Sequence, residues 1–521
     1  MNKLLLSAAI SAAFFAGQAQ ATTLTLHLTS PNLVAALSGT VDEIWISGSS
    51  AATPFIEKSV VADCSGTAYK YVNGSNDTTW VCNSSLAVGT VNIVHKRDGG
   101  GSVTGVYSAL GTTLPTYATT ASLDAAACAA AVSGISVCTT SGAIVNTAHA
   151  GDINLADVDA AQFESVLNGG VVGASALTNR AVATQIFGIA VNLRLRNALQ
   201  VAEVAAGSLH AGCTVSPANE TEACVPSLTT PQLSAIFGKG RLTDWNNLRY
   251  DNTAVAQTLS DTLFGAQATA DKPGNRDVHI CSRTAGSGTL ATLNINFENA
   301  PCFTGNEAIQ AAAAQTISGA ETTTQGAVKV YHSMSGSGDL ENCLEGLNQG
   351  STKGSFTYPA IKPTTGNTFR WAIGVLSLDR NATNAKNYRF IKIDGSSPSA
   401  INVVNGKYKF WSELVAVNNG ALSTDPLAVD LLANLGNANQ IASLNVTNAN
   451  FGVTGFLGTA SNAAYLPTSG TVISPGTLIN AAFDAARPVN PWTHEAAAGG
   501  SLNHCRVPSI PGGSKVMPSL N

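Results

Sequence analysis

Cys281-Ser282-Arg283-Thr284-Ala285-Gly286-Ser287-Gly288-Thr289 is the stretch on which the reading of this chain turns. Ahead of it, Asp277-Val278-His279-Ile280-Cys281 has strand character, and Ser287 to Phe297 reads as the helix that follows. The glycines therefore fall at a strand-to-helix turn. A helix start exposes backbone N–H groups without intrahelical partners and carries a partial positive charge. Glycine allows an anion to approach the backbone closely. Ser287 and Thr289 add hydroxyl donors, and Arg283 can present a planar, bidentate donor pair. Taken alone, the stretch also fits an ordinary Gly-Ser loop beside a surface arginine.

Its company favours the anion. Glu43-Ile44-Trp45-Ile46-Ser47 is strand-like and runs into Gly48-Ser49-Ser50-Ala51-Ala52-Thr53-Pro54-Phe55, a second small-residue turn with proline at a first helical position. Val91 to His95 is a further strand, followed by the glycine loop Arg97-Asp98-Gly99-Gly100-Gly101-Ser102. Asp152 to Asp157 reads as a short strand with an acidic end. Donors alone cannot tell sulfate from hydrogen phosphate. A carboxylate can, because it accepts a hydrogen bond from the protonated oxygen, and Asp157 would fill that role. A helix N-cap is the other reading of Asp157. Asp98 and the Ser335–Asp339 loop are further candidates to line a cleft, or plain surface turns.

Gln185–Asn192 and Trp371–Leu376 are apolar strands without internal turn signals, suited to crossing between domains. Thr230–Gly238 carries an N-cap, a proline and a terminal glycine, and so predicts a helix. Tyr388–Ile393 and Lys407–Trp411 predict strands. Strands alternating with helical stretches indicate an α/β fold with largely parallel sheets.

Arg283-x-x-Gly286-Ser287-Gly288-Thr289 resembles the arginine and Gly-Ser-Gly-Thr motif of the periplasmic phosphate-binding proteins, the substrate-binding proteins of phosphate ABC transporters. The resemblance continues in order from about residue 42 to 415. It takes in Gly48–Pro54, Asp152–Asp157, Leu233–Gly240 with Thr243-Asp244-Trp245, and Ile401 to Tyr408. It implies an α/β, two-lobed type II periplasmic-binding-protein-like fold, here with disulfide-stapled insertions at about 62–90 and 110–150. Lobe one would comprise 42–185 plus 375–521, and lobe two 186–374. The implied ligand is inorganic phosphate or a similar tetrahedral oxyanion. It would meet Ala52, Thr53, Gly99, Ser102, Asp157, Arg283, Ser287, Gly288 and Thr289. An inner-membrane ABC permease is the implied partner, and a monomer the implied state. This chain departs from the family at Ala285, where an acidic residue usually helps to hold the arginine, and at Gly99-Gly100, which replace a serine pair.

Lys3, the apolar run Leu4–Ala16 and Ala19-Gln20-Ala21 form a secretory signal peptide over 1–21, with mature protein expected from Thr22. The run is too short to span a bilayer as a helix, and no cysteine follows the cleavage point to carry a lipid. A soluble periplasmic or secreted protein is expected. The 10 cysteines agree, since an even count in an oxidising compartment favours disulfides. The expected pairs are 64–82, 128–138, 213–224 and 281–302, with 343–505 as a long-range closure. No Cys-x-x-Cys and no finger-like histidine spacing points to a metal, and no cofactor is expected. With 521 residues, 45% of them apolar and 11% charged, and a net charge of −5, a large core is available and nothing advertises nucleic acid. No Gly-x-Ser-x-Gly or His-Glu-x-x-His motif is present and the eight histidines are scattered, so an enzyme is not expected. The alternative to solute capture is an exported surface or structural interaction protein that keeps the binding fold without transport.

Overall fold

A 15-residue strand, Thr178–Asn192, organises the molecule. The computed structural model describes residues 39–460, 488–496 and 501–509, apart from 75, 124, 141–142, 240, 251–261, 305–325, 327, 360–365 and 455. The first half of the long strand pairs antiparallel with Trp411–Asn418, and the second half with Ala372–Ser377 and Tyr388–Ile393. From Ala181 onward every residue of it is buried. That accounts for an apolar run with no turn signal. It also shows why the run 185–192 understates the strand, because the smaller residues before it continue the ladder.

Two bodies of sheet extend from this strand. One carries Ala372–Ser377, Val278–Arg283 and Lys329–Met334; the other carries Trp411–Asn418, Ile153–Ala156, Thr40–Gly48 and Thr90–Arg97. Within each body the strands that alternate with helices are parallel: Thr40–Gly48 with Thr90–Arg97 and Ile153–Ala156, and Val278–Arg283 with both neighbours. The sheet as a whole is mixed rather than largely parallel, because the long crossing strand and its partners run antiparallel. Separate cores serve the two bodies. Phe187, Leu233, Trp245, Ile280, Leu340 and Trp371 belong to one, and Ile44, Phe55, Trp80, Leu155, Leu414 and Leu431 to the other. The α/β, two-lobed reading of the sequence holds.

The stretches at about 62–90 and 110–150 are built onto the sheet rather than hung from it. Asp77–Asn83, Ala68–Val72, Ile135–Thr140 and Ala125–Cys128 add four successive strands beyond Thr90–Arg97. The Cys64–Cys82 and Cys128–Cys138 disulfides staple them as expected, and Cys213–Cys224 is also formed. The other two pairings are corrected: Cys281 bonds Cys343, and Cys302 bonds Cys505. Cys281 lies in the strand Val278–Arg283 and faces the helix Ser337–Gln349, in which Cys343 is buried. Cys302 instead follows the 11-residue helix Gly288–Glu298, which carries the chain roughly 16 Å away from that strand end.

Lys407–Trp411 is also corrected. The strand begins at Trp411, while Lys407 and Tyr408 donate their backbone N–H groups to Asn402 O and close the helix Ala400–Val404. Donors used in a helix end cannot serve a ladder. Tyr408 is nevertheless buried and donates to Phe187 O at 2.8 Å. No helix among the described residues is long and apolar enough to cross a membrane. The signal-peptide reading of 1–21 lies outside the described residues.

Candidate functional site

Parallel register brings the loops of interest to one place. Ser47 is level with Arg97, Gly48 with Leu155, and Arg283 with Met334. The turns after these strands therefore meet at the carboxyl ends of both bodies, where open α/β sheets hold their ligands. Arg283, the last residue of its strand, is 3% exposed. Its Nη2 donates to Ser50 Oγ at 3.0 Å and to Ser335 O at 2.8 Å, and its Nη1 to Ser337 Oγ at 3.3 Å. Its Nε is buried without a hydrogen-bond partner. These serine contacts hold the arginine where Ala285 cannot.

Asp157 follows the strand Ile153–Ala156 and is also buried. Its Oδ1 accepts from Ser49 Oγ, and its Oδ2 from Thr289 Oγ1 at a long 3.4 Å. Its backbone N–H donates to Ser102 Oγ at 3.1 Å, and its carbonyl accepts from Ser412 Oγ. Asp157 is not a helix cap; its side chain is turned to the other body's Gly-Ser-Gly-Thr turn. Glycine is required there. A Cβ on Gly288 would press on Ser102 Oγ and stand 2.7 Å from Asp157 Cβ. Gly286, at φ +93°, lets its carbonyl accept from Val103 N–H at 2.9 Å across the same gap.

Charge in the site is buried, and burial dominates its titration. Burial raises Asp157, against the lowering effect of the Ser49 hydrogen bond and Arg283. Burial lowers Arg283 to about 10, although Asp157 and Asp98 favour its charge. Lys96 is buried beneath the cleft, where its Nζ donates to Gly48 O. Burial lowers it to about 8, again against Asp98 and Asp157. Two cationic groups thus lie near two carboxylates in a site almost without solvent, where a bound anion would be strongly felt.

Not every residue singled out in the sequence faces this group in the same way. Ser287 caps its helix through Leu290 N–H, and Gly288 and Thr289 form the first turn against Asp157. Ala52 N–H is engaged by Ser49 Oγ at 3.2 Å, and Thr53 Oγ1 donates to Asp98 Oδ2 at 2.7 Å. Gly99 stands back against the Arg97 guanidinium, with its carbonyl accepting from Thr104; it is Gly101 that abuts Ser287. Ser49, Ser50 and Ser337 lie in segments the sequence marks, but their individual roles are visible only in three dimensions. Lys96 carries no sequence signal, since it reads as an ordinary charge beside Arg97.

The family model described as the PBP superfamily domain matches residues 101–431. The chain is also similar to solved structures of low identity. One is a Clostridium perfringens protein described as a phosphate ABC transporter substrate-binding protein with bound phosphate (14% identity, 77% of this chain and 98% of that one, TM-score 0.37). Another is an ABC-type phosphate transport receptor from Vibrio cholerae (13% identity, 75% and 93%, TM-score 0.33). A third is PstS from Borrelia burgdorferi (11% identity, 80% and 98%, TM-score 0.32). No curated protein matches the chain by sequence. With the family model spanning most of the chain, including Ser102, Asp157 and the Arg283–Thr289 turn, this protein belongs to the PBP superfamily.

Proposed function

We propose that this protein is an exported solute-binding protein that captures inorganic phosphate, or a similar tetrahedral oxyanion, between its two lobes. The observation that carries the reading is Arg283, a buried guanidinium whose Nε has no hydrogen-bond partner while Asp157 and three strand-end turns surround it. Taking a doubly charged anion out of water is costly unless fixed donors replace its hydration. The first turn of Gly288–Glu298, the guanidinium and the hydroxyls of Ser50, Ser102 and Ser337 are such donors. Asp157 Oδ2 holds only the long bond to Thr289, so it is available to accept the proton of hydrogen phosphate. Sulfate has no such proton to give. Nothing in this arrangement calls for a catalytic nucleophile.

Contacts from both lobes would be complete only in the closed state, which couples binding to hinge closure. The chain passes between lobes along Thr178–Asn192 and returns through Ala372–Ser377. Five disulfides suit an oxidising destination, periplasmic or secreted. Uptake through an inner-membrane ABC permease, or scavenging by a monomer, is the role implied. A second reading, an exported surface protein that keeps the fold as a scaffold, draws on Cys302–Cys505, which ties the two lobes covalently.

Calorimetric titration of ligand-stripped protein with phosphate, sulfate and arsenate tests the proposal. Phosphate should bind in preference to sulfate. Arg283→Ala should weaken binding by roughly 100-fold, or about 3 kcal/mol, the scale for truncating one partner of a buried charged contact. Asp157→Asn should cut the preference over sulfate by about 10-fold, because the amide can donate where the carboxylate accepted. No heat and no thermal stabilisation with any oxyanion would overturn the receptor reading and leave the scaffold.

A further inference from the structure

Glu413, His494 and His504 come from two regions of sequence, yet their side-chain ligand atoms lie within 4.8 Å of one another, and all three residues are buried. Glu413 belongs to the strand Trp411–Asn418, while both histidines belong to the C-terminal segment that folds back on it. Glu413 Oε2 is 2.7 Å from His494 Nδ1 and 3.1 Å from His504 Nε2. The other oxygen, Oε1, is held by the His494 backbone N–H at 2.9 Å and by Thr493 Oγ1 at 3.3 Å. The carboxylate is thereby oriented, with Oε2 turned to both imidazoles.

The far side of His504 is equally organised. Its Nδ1 is 2.8 Å from Asp159 Oδ1. The Asp159 backbone N–H donates to that nitrogen at 3.0 Å. Nδ1 thus faces both a carboxylate oxygen and a backbone N–H of Asp159, which fixes the orientation of the ring. His504 Nε2 lies on the opposite edge of the ring. It is buried, aimed at Glu413, and makes no hydrogen bond of acceptable geometry. A ligating histidine whose second nitrogen donates to a carboxylate is the usual arrangement around a bound transition metal.

We infer that Glu413, His494 and His504 form a binding site for a divalent cation of the zinc class, with Asp159 positioning His504. Two imidazoles and one carboxylate are a borderline-soft set that suits Zn²⁺ rather than Ca²⁺ or Mg²⁺. Tetrahedral Zn²⁺ holds neighbouring ligand atoms about 3.3 Å apart, so the carboxylate–imidazole pairs, at 2.7 and 3.1 Å, would open slightly and the two imidazole nitrogens, within 4.8 Å of each other, would draw together. A cavity of about 270 Å³ reaches both histidines and is lined also by Asn296, Asn299, Lys409 and Trp411, which leaves room for water or a small anion as the fourth ligand. Bound there, the cation would pin the C-terminal segment to the strand, beside the Cys302–Cys505 disulfide. This site is separate from the Arg283 cleft and does not depend on phosphate binding. The competing account is a metal-free ion bridge.

The test uses the full chain with its disulfides oxidised, stripped by EDTA and titrated with ZnCl₂ in competition with a chromophoric chelator. One ion per chain is expected, with Co²⁺ giving the intense visible bands of a tetrahedral site. Glu413→Gln and His494→Ala should each weaken Zn²⁺ binding at least 100-fold, and Asp159→Asn about 10- to 100-fold. His279→Gln, at the other buried histidine pair, should leave it unchanged. Absence of stoichiometric Zn²⁺ binding in the wild type would overturn the site and leave the ion bridge. So would unchanged affinity in Glu413→Gln and His494→Ala with native circular dichroism. If those variants do not fold, the wild-type stoichiometry and the Co²⁺ spectrum decide.

Discussion

The two ends of the helix Gly288–Glu298 meet the opposite lobe in different ways. At its N-terminus the contact is polar and reversible: Val103 N–H to Gly286 O at 2.9 Å, Arg283 Nη2 to Ser50 Oγ at 3.0 Å, and Thr289 Oγ1 to Asp157 Oδ2 at 3.4 Å. Past its C-terminus the contact is covalent, through Cys302–Cys505. Between them the helix packs toward both sides, with Leu293 and Phe297 in the core of Phe187 and Trp371 and Ala291 in a separate cluster with Val103, Ala156 and Val415. A cleft bounded by hydrogen bonds can exchange them for water at small net cost. A disulfide cannot be exchanged in that way. On the proposed function, opening would swing the cleft about a tied end rather than separate the lobes.

Removing the tie would make the two ends alike, and it carries the largest expected effect. Cys302→Ser with Cys505→Ser should lower stability by about 4 kcal/mol, since the bridge spans 203 residues of sequence. Denaturant unfolding would measure it, and small-angle scattering should show a larger radius of gyration without ligand. An unchanged radius would mean that packing alone holds the lobes. Lys96 probes the polar end through pH. Its folded pKa of about 8 lies below the ordinary 10.5, so between those values the unfolded chain binds a proton that the folded chain does not. Wild-type stability should therefore rise by up to about 3 kcal/mol from pH 8 to 10.5 relative to Lys96→Met, and fall back as the pH drops toward 8. A flat difference between the two proteins would show that Lys96 is not buried as a charge beneath the cleft. The smallest effect is expected from Gly288→Ala, whose methyl would meet Ser102 and Asp157 across the gap. It should cost about 1–3 kcal/mol, seen as weaker oxyanion binding with little change in the unfolding of the rest of the molecule.

Much of the cleft is legible in the sequence. The Arg283–Thr289 turn, the Gly48–Pro54 turn and Asp157 announce themselves through residues whose conformational and hydrogen-bonding preferences act over a few positions. The helix Thr230–Phe237 is equally plain, although its cap is Thr229, one residue earlier than the sequence reading, in a capping box with Gln232. Three of the four expected nearest-neighbour disulfides fall in the same class, since short loops keep their cysteines close, while 281–302 does not form. Lys96, the Cys281–Cys343 and Cys302–Cys505 pairs, and the meeting of Glu413 with His494 and His504 are not legible there.

The order of residues along the chain is enough to establish the α/β class, the glycine-rich turns at strand ends, and the side chains proposed to meet an anion there. Folding in three dimensions settles which turns face one another, which charges lose their water, and which distant cysteines and histidines become neighbours. The division follows from range. Turn chemistry, capping and periodicity are settled by contacts within a few residues of chain, whereas strand order and register bring together positions as far apart as Asp159 and His504, and no local preference encodes such a meeting.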